Sequence, residues 1–243
     1  MAIYAISDLH LALSIDKPMD VFGERWRGYM ERLKTEWEQT VAAEDHVVIP
    51  GDVSWATYVE QALDDFRFIN ELPGKKIILK GNHDYWWTTI SKLKKFLAGN
   101  GFDSIDFLHN DSCVIGDVSV CGTRGWKCPG DEDFSEEDAK IYRRELERLG
   151  LSLKKAAHAG EVRFIVAALH YPPFNAKREP SGFVEIMRRY GVKLCIYGHL
   201  HSGCVNGAVE GEHYGMDFKL VSADYLGFRP VLIHAQERAG FNI

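Results

Sequence analysis

Short apolar runs recur along the chain at residues 3–6, 46–49, 76–79, 163–169 and 193–197. They are continuous rather than alternating, which is the pattern of strands buried on both faces. Between them lie stretches with helical periodicity at 25–42, 56–72, 88–97, 135–157 and 181–190. In the second stretch Val59, Leu63, Phe66 and Ile69 share one helical face. The fourth opens on Ser135-Glu136-Glu137-Asp138, an N-cap sequence, and the fifth is stopped by Gly191.

Beyond the third strand the pattern changes. Residues 114–120, 205–209, 218–221 and 231–233 read as short antiparallel strands joined by turns. A βαβαβ beginning followed by mixed and hairpin strands predicts an α/β protein of two packed sheets with outer helices. No internal repeat, low-complexity tract or Pro/Gly/Ser-rich linker divides the chain, so one domain over residues 1–243 is expected.

Composition narrows the function. A net charge of −6 supplies no basic footprint for a nucleic-acid backbone, so any attraction for phosphate must be local. No apolar run is long enough to cross a bilayer, and the first residues carry no basic n-region or small-residue cleavage site. The five cysteines (Cys113, Cys121, Cys128, Cys195, Cys204) lack CxxC pairing and read as reduced, mostly buried small hydrophobes. A cytoplasmic protein with no membrane partner is expected.

The residues immediately behind the buried strands carry the chemistry. Asp8-Leu9-His10 stands after the first, Gly51-Asp52 after the second and Gly81-Asn82-His83-Asp84 after the third. Leu169-His170-Tyr171-Pro172 closes the next, and Gly198-His199-Leu200-His201 comes after the last. The carboxyl ends of strands in an open α/β sheet form one rim, where ligands bind. In Asp8-x-His10 and His199-x-His201 the two-residue spacing predicts side chains on the same side of an extended segment. Carboxylates, an amide oxygen and imidazoles together suit Mn, Fe, Zn, Co or Ni better than Ca or Mg. Gly51 and Gly81 permit tight turns close to the metals. Each fragment alone is common solvated-loop chemistry; five in this order are not.

With these blocks in place, the chain resembles the calcineurin-like metallophosphoesterase superfamily from Asp8 to His201, most of all its small bacterial phosphohydrolases. The resemblance implies a four-layer αββα sandwich of two mixed sheets flanked by helices. It implies two divalent transition-metal ions, one on Asp8, His10, Asp52 and His201, the other on Asp52, Asn82, His170 and His199. Asp52 would bridge them, a metal-bridging hydroxide would be the nucleophile, and His83 would protonate the leaving oxygen. Asp84 is a further catalytic candidate that would orient or tune His83. With two carboxylates and one hydroxide against four positive charges, such a centre stays positive inside an acidic protein and attracts a phosphate ester.

Departures narrow the class. Trp55 stands where purple acid phosphatases have a tyrosine ligand and protein serine/threonine phosphatases an Asp, and Asp84 replaces the usual Glu of the latter. Both subclasses are disfavoured. Arg124, in Gly122-Thr123-Arg124-Gly125-Trp126, is either a phosphate-holding fork or a surface-loop arginine. Trp86 and Trp87 read first as core packing and second as stacking platforms, with Phe174 and Tyr225 behind them. His109, His158, His213 and His234 fit no ligand spacing and read as structural or exposed, and Lys92, Lys94 and Lys95 as a solvated helix face. A phosphomonoester or phosphodiester substrate leads; a nuclease or cyclic-nucleotide phosphodiesterase is the rival enzyme, and nucleic acid is not favoured. A non-catalytic scaffold would be expected to lose ligands or the acid, and this chain has kept them.

Overall fold

The computed structural model describes residues 1–236 apart from Pro18, and for Asp20 and Phe22 the backbone alone. The last seven residues of the expected 1–243 domain therefore lie outside the described residues. The first apolar runs form β1 (Ala2–Ala5), β2 (His46–Pro50) and β3 (Lys75–Leu79), parallel to one another as their near-continuous hydrophobicity requires. A short β4 (Ile105–Phe107) extends this sheet beyond β3. The helices α1 (Tyr29–Thr40), α2 (Leu63–Glu71) and α3 (Ile90–Asn100) connect these strands in order.

The second sheet begins with a hairpin, β5 (Ser112–Ile115) and β6 (Val118–Thr123), which turns at Gly116-Asp117 with Gly116 at φ 60°. The long α4 (Glu136–Ala157), then β7 (Phe164–Leu169), α5 (Gly182–Arg189) and β8 (Leu194–Tyr197) come next. The small β9 (Gly211–His213) and β10 (Met216–Leu220) complete that sheet, while β11 (Val231–Ala235) returns to the first. The strand orders are β11-β1-β2-β3-β4 and β5-β6-β7-β8-β10-β9, both mixed.

Alternation along the strands sorts side chains into three apolar layers. Ile3, Ala5, Val48, Ile77 and Leu79 meet Val118, Val120, Val166, Ala168 and Ile196 between the sheets. Val47, Ile49 and Ile78 point the other way, against Leu33 and Trp37 of α1, Phe66 of α2 and Leu93 of α3. Ala167, Leu169, Cys195 and Tyr197 likewise meet Leu149 and Leu153 of α4 and Phe183 of α5. This is the expected αββα sandwich.

Several boundaries differ from the sequence pattern. The helix expected over 25–42 starts at Tyr29, because Gly28 takes φ 62° and the preceding 3-10 turn drops Trp26 into the core. Residues 205–209, expected as a strand, belong largely to a 3-10 turn (Ser202–Gly207). Gly203, Asn206 and Gly207 oppose a strand there. The strand near 218–221 is not simply antiparallel: β10 runs parallel to β8 and antiparallel only to β9. The N-cap is as expected, with Ser135 Oγ accepting from Asp138 N at 3.1 Å and Asp138 Oδ2 from Ser135 N at 3.0 Å. All five cysteines are free, with Cys121, Cys128 and Cys195 buried and Cys204 exposed. Among the described residues no helix is long and apolar enough to cross a membrane.

Candidate metal centre

The seven candidate ligands converge at the carboxyl ends of β1, β2, β3, β7 and β8, but the backbone route is not the one the spacing suggests. Asp8 and His10 have φ of 60° and 47°, and His199 has 71°, so neither paired motif lies on an extended segment. Asp52 is also left-handed at 52°. Non-glycine residues rarely adopt this conformation, and such strain concentrates at functional sites. Gly51 and Gly81 pack against each other behind Asp52, and a Cβ on Gly81 would overlap the Asp52 carboxylate.

Two groups of candidate donors adjoin, Asp8 with His10 and His201 and Asp8 with Asp52 and His170, and Asp52 also reaches toward both. In the first, His10 Nε2 lies 3.2 Å from His201 Nε2, and His201 Nε2 lies 3.2 Å from Asp8 Oδ1. Asp52 Oδ2 is 3.8 Å from His10 Nε2. In the second, the same Asp52 Oδ2 is 3.4 Å from His170 Nε2. Asn82 Oδ1 lies 2.7 Å from His170 Nε2 and 2.9 Å from His199 Nδ1. Donors around one cation at about 2.0–2.2 Å are about 2.8–3.6 Å apart; the spacings of 2.9, 3.2 and 3.4 Å lie in that range, and those of 2.7 and 3.8 Å just outside it.

The electrostatics ask for positive charge. Burial would raise Asp8, but the His201 hydrogen bond and the neighbouring histidines hold it well below the usual carboxylate range. Asp52 behaves alike: burial raises it, His170 outweighs that, and it falls to about 2. Conversely, burial opposes protonation of His170 and His201, yet Asp52 lifts the first to about 9, and Asp224 with Asp8 lifts the second to about 10. Both shifts mark a site whose carboxylates favour positive charge. For His10 and His199 burial outweighs the pull of Asp8 and Asp52 and drives them down to about 4 and about 3, toward the neutral form that metal ligation requires.

The candidate ligands are themselves held. His170 Nδ1 pairs with Pro50 O at 3.0 Å, leaving Nε2 for the centre. His201 Nδ1 pairs with Asp224 Oδ1 at 2.8 Å, and the other Asp224 oxygen accepts from Ser202 N at 3.0 Å. Ser222 Oγ donates to Asp8 Oδ2 at 3.0 Å. Sequence reasoning missed Asp224 and Ser222. The signal was there: Val221-Ser222-Ala223-Asp224 stands behind β10 much as Asp8 stands behind β1. Such partners fix ring tautomer and ligand orientation.

The remaining candidates divide. The half-buried His83 donates its backbone N–H to Asp52 Oδ1 at 2.8 Å, and its ring lies 4.3 Å from Trp55 and 5.8 Å from His10 by centroids. It lines a cleft of about 160 Å³ with His10, Trp26, Asp52, Trp55 and His201. Burial lowers its pKa, partly offset by Asp52. Trp55 stacks on His10 at 4.8 Å, so an apolar wall occupies the place of a phenolate. Asp84 does not approach His83. Its fully buried carboxylate accepts from Gly81 N (2.7 Å), Val53 N (2.8 Å), Asp52 N (2.9 Å) and Trp86 Nε1 (3.1 Å), tying the loop after β2 to the loop after β3. Burial and then the Asp52 charge raise it to about 7. Trp86 is core, packed edge-on against Phe66. The Arg124 side chain turns away from the cleft toward Glu145 and Trp126, while its carbonyl accepts from His170 N at 3.0 Å.

The calcineurin-like phosphoesterase family model matches residues 1–203. UDP-2,3-diacylglucosamine hydrolase of Vibrio cholerae serotype O1 is 24% identical over 199 residues, covering 78% of this chain and 77% of that protein. In overall structure the chain is similar to the phosphopantetheinyl hydrolase PptH of Mycobacterium tuberculosis, with TM-score 0.57, 14% identity and 98% of both chains covered. It is also similar to AQ665 of Aquifex aeolicus, with TM-score 0.51, 18% identity and 95% of both chains covered. The last two likenesses are of fold. The match over five sixths of the sequence is one of family, and the chain belongs to the calcineurin-like phosphoesterases.

Proposed function

We propose that the chain hydrolyses phosphate monoesters or diesters at a dinuclear metal centre. One cation would be held by Asp8, His10, Asp52 and His201, the other by Asp52, Asn82, His170 and His199. The observation that carries this reading is Asp52 Oδ2, within 3.8 Å of His10 Nε2 on one side and 3.4 Å of His170 Nε2 on the other. The donor set suits manganese, iron or zinc. Bound there, two such cations supply Lewis acidity toward phosphoryl oxygens and lower the pKa of the attacking water.

The protein supplies the rest. His83, fixed through its own backbone to Asp52, stands in the cleft and gives a proton to the leaving oxygen as the P–O bond breaks. A lowered pKa makes the His83 imidazolium a stronger acid, and an alkoxide, far more basic than imidazole, takes its proton readily. Asp84 keeps Asp52 and Asn82 in place through their backbones and takes no part in proton transfer. A groove of about 540 Å³ beside His199, walled by Trp126, Tyr171, Phe174 and Leu200, receives the organic part of the ester.

The test is elemental analysis of the purified protein with assays against monoesters, diesters, nucleotides and dinucleotide polyphosphates. About two ions per chain and turnover that chelation abolishes are expected. Full metal occupancy with no turnover of any ester would overturn the hydrolase reading.

A further inference from the structure

A second cavity, of about 260 Å³, opens where β3 and β6 end beside the middle of α4. Lys80, His109, Arg124, Arg144 and Arg148 line it with a single carboxylate, Glu145. It shares no lining residue with the metal cleft, although Lys80 is two residues from Asn82. In a chain of net charge −6, four cationic side chains around one acid is a local reversal of sign.

Glu145 does not neutralise that charge. Fully buried, it accepts from Arg148 at 2.6 Å and also from the Thr123 hydroxyl, and Arg124 reaches it only at 3.5 Å. Arg124 Nε is buried with no hydrogen-bond partner, and its guanidinium is held over Trp126 at 4.4 Å. Among the described residues Lys80 and Arg144 have no acidic oxygen within ion-pair distance. Arg144 and Arg148 stand one helical turn apart on α4 and both reach this cavity. Leaving the buried Arg124 Nε unpartnered among three further cationic side chains costs free energy that an anion in the cavity would relieve. A fixed guanidinium fork with an ammonium beside it is matched by a tetrahedral oxyanion. The space is below the size of ordinary organic-ligand pockets, so the ligand is compact.

We propose that this cavity is a second phosphate site, separate from the metal centre, held by Lys80, Arg124, Arg144 and Arg148. Its phosphate comes either from a distal phosphoryl group of the substrate or from free inorganic phosphate. The site does not depend on the hydrolase reading.

The experiment titrates inorganic phosphate into metal-loaded protein by calorimetry, comparing wild type with Arg144→Gln and with Arg144→Gln/Arg148→Gln. The single variant alters only an exposed side chain and keeps the test valid should the double variant fold poorly. Two phosphates per chain are expected for wild type, one of them weakened about tenfold or more in the variants. If the metal reading alone fails, wild type binds one phosphate and the variants still weaken it. Identical stoichiometry and affinity in all three proteins overturns the site. Kinetics then identify the source. A KM raised about tenfold only on esters carrying a second phosphate assigns a distal phosphoryl group. Unchanged KM values with loss of a rate effect of added phosphate assign the free ion.

Discussion

Two cavities at the same rim of the sandwich are built on opposite principles. The candidate metal centre gathers Asp8 and Asp52, with Asp84 and Asp224 buried behind them, and its geometry comes from loops forced into left-handed backbone. The basic cavity gathers lysine and arginine around one acid and rests on the last residues of β6 and the regular face of α4. In the first, buried carboxylates lift His170 and His201 far above ordinary histidine. In the second, burial, the neighbouring Arg148 and Lys80 push His109 down, with only Glu145 opposing. The segment after β3 serves both, sending Lys80 to one and Asn82 to the other. A phosphoesterase needs cations to activate water and cations to hold phosphate; in the proposed reading the candidate metal ligands serve the former and fixed side chains are suited to the latter.

The largest effect should come from removing the shared carboxylate charge. Asp52→Asn is expected to deplete both clusters and lower kcat/KM by more than about 10⁴-fold, since Lewis acid and nucleophile go together. Elemental analysis of the variant checks it, and metal lost from only one site would break the bridging assignment. His83→Ala should keep its metals and lose about 10²–10⁴-fold on alkyl esters, and far less on nitrophenyl esters, whose leaving group departs nearly unassisted. Equal losses on both esters would remove the general-acid role.

Legibility in the sequence divides along the same line. The candidate ligands were readable because they come as compact motifs directly behind buried strands: Asp8-Leu9-His10, Gly81-Asn82 and Gly198-His199-Leu200-His201. Their backbone route was not, because a two-residue spacing does not tell an extended segment from a left-handed turn. Asp224 escaped because it stands alone, with no histidine beside it to mark it. The basic cavity escaped more fully. Arg144 and Arg148 look like any solvated helix face, and Arg124 shows its meaning only when α4 folds across β6. The strands β4 and β9 are three residues each, too short for any period to register.

Asp224→Asn sharpens the metal side. It leaves every ligand present but weakens the carboxylate that orients His201, so metal affinity should fall about 10–100-fold while the fold persists. Competition with a fluorescent chelator measures this, and wild-type affinity would return Asp224 to a structural role. The pH dependence is a smaller effect of known sign. Folded-state values of about 9 and about 10 exceed the ordinary 6.5, so both imidazoliums stabilise the metal-free chain below pH 6.5 and stop doing so as pH rises through 9–10. Metal must displace those protons, so its apparent affinity should rise about tenfold per pH unit for each proton released. Affinities that match at pH 6.5 and 8.5 would show that these histidines do not ligate.

The smallest effect tests the support of the basic side. Ser135 caps α4 by accepting from Asp138 N, and Asp138 in turn accepts from Trp126 Nε1 at 2.9 Å, next to the ring on which Arg124 lies. Ser135→Ala removes the cap bond and the Ser135 Oγ donation to Asp138 Oδ2 at 2.6 Å, and leaves the Trp126–Asp138 bond available. Losing such a cap costs about 1 kcal/mol of helix stability. The midpoint of urea unfolding should therefore fall slightly, with metal content unchanged, because no metal ligand lies on α4. If metal binding falls along with stability, the two cavities are one mechanical unit and the contrast between loop-built and helix-built sites is lost. If stability falls alone, α4 carries the basic cavity independently of the metal cleft.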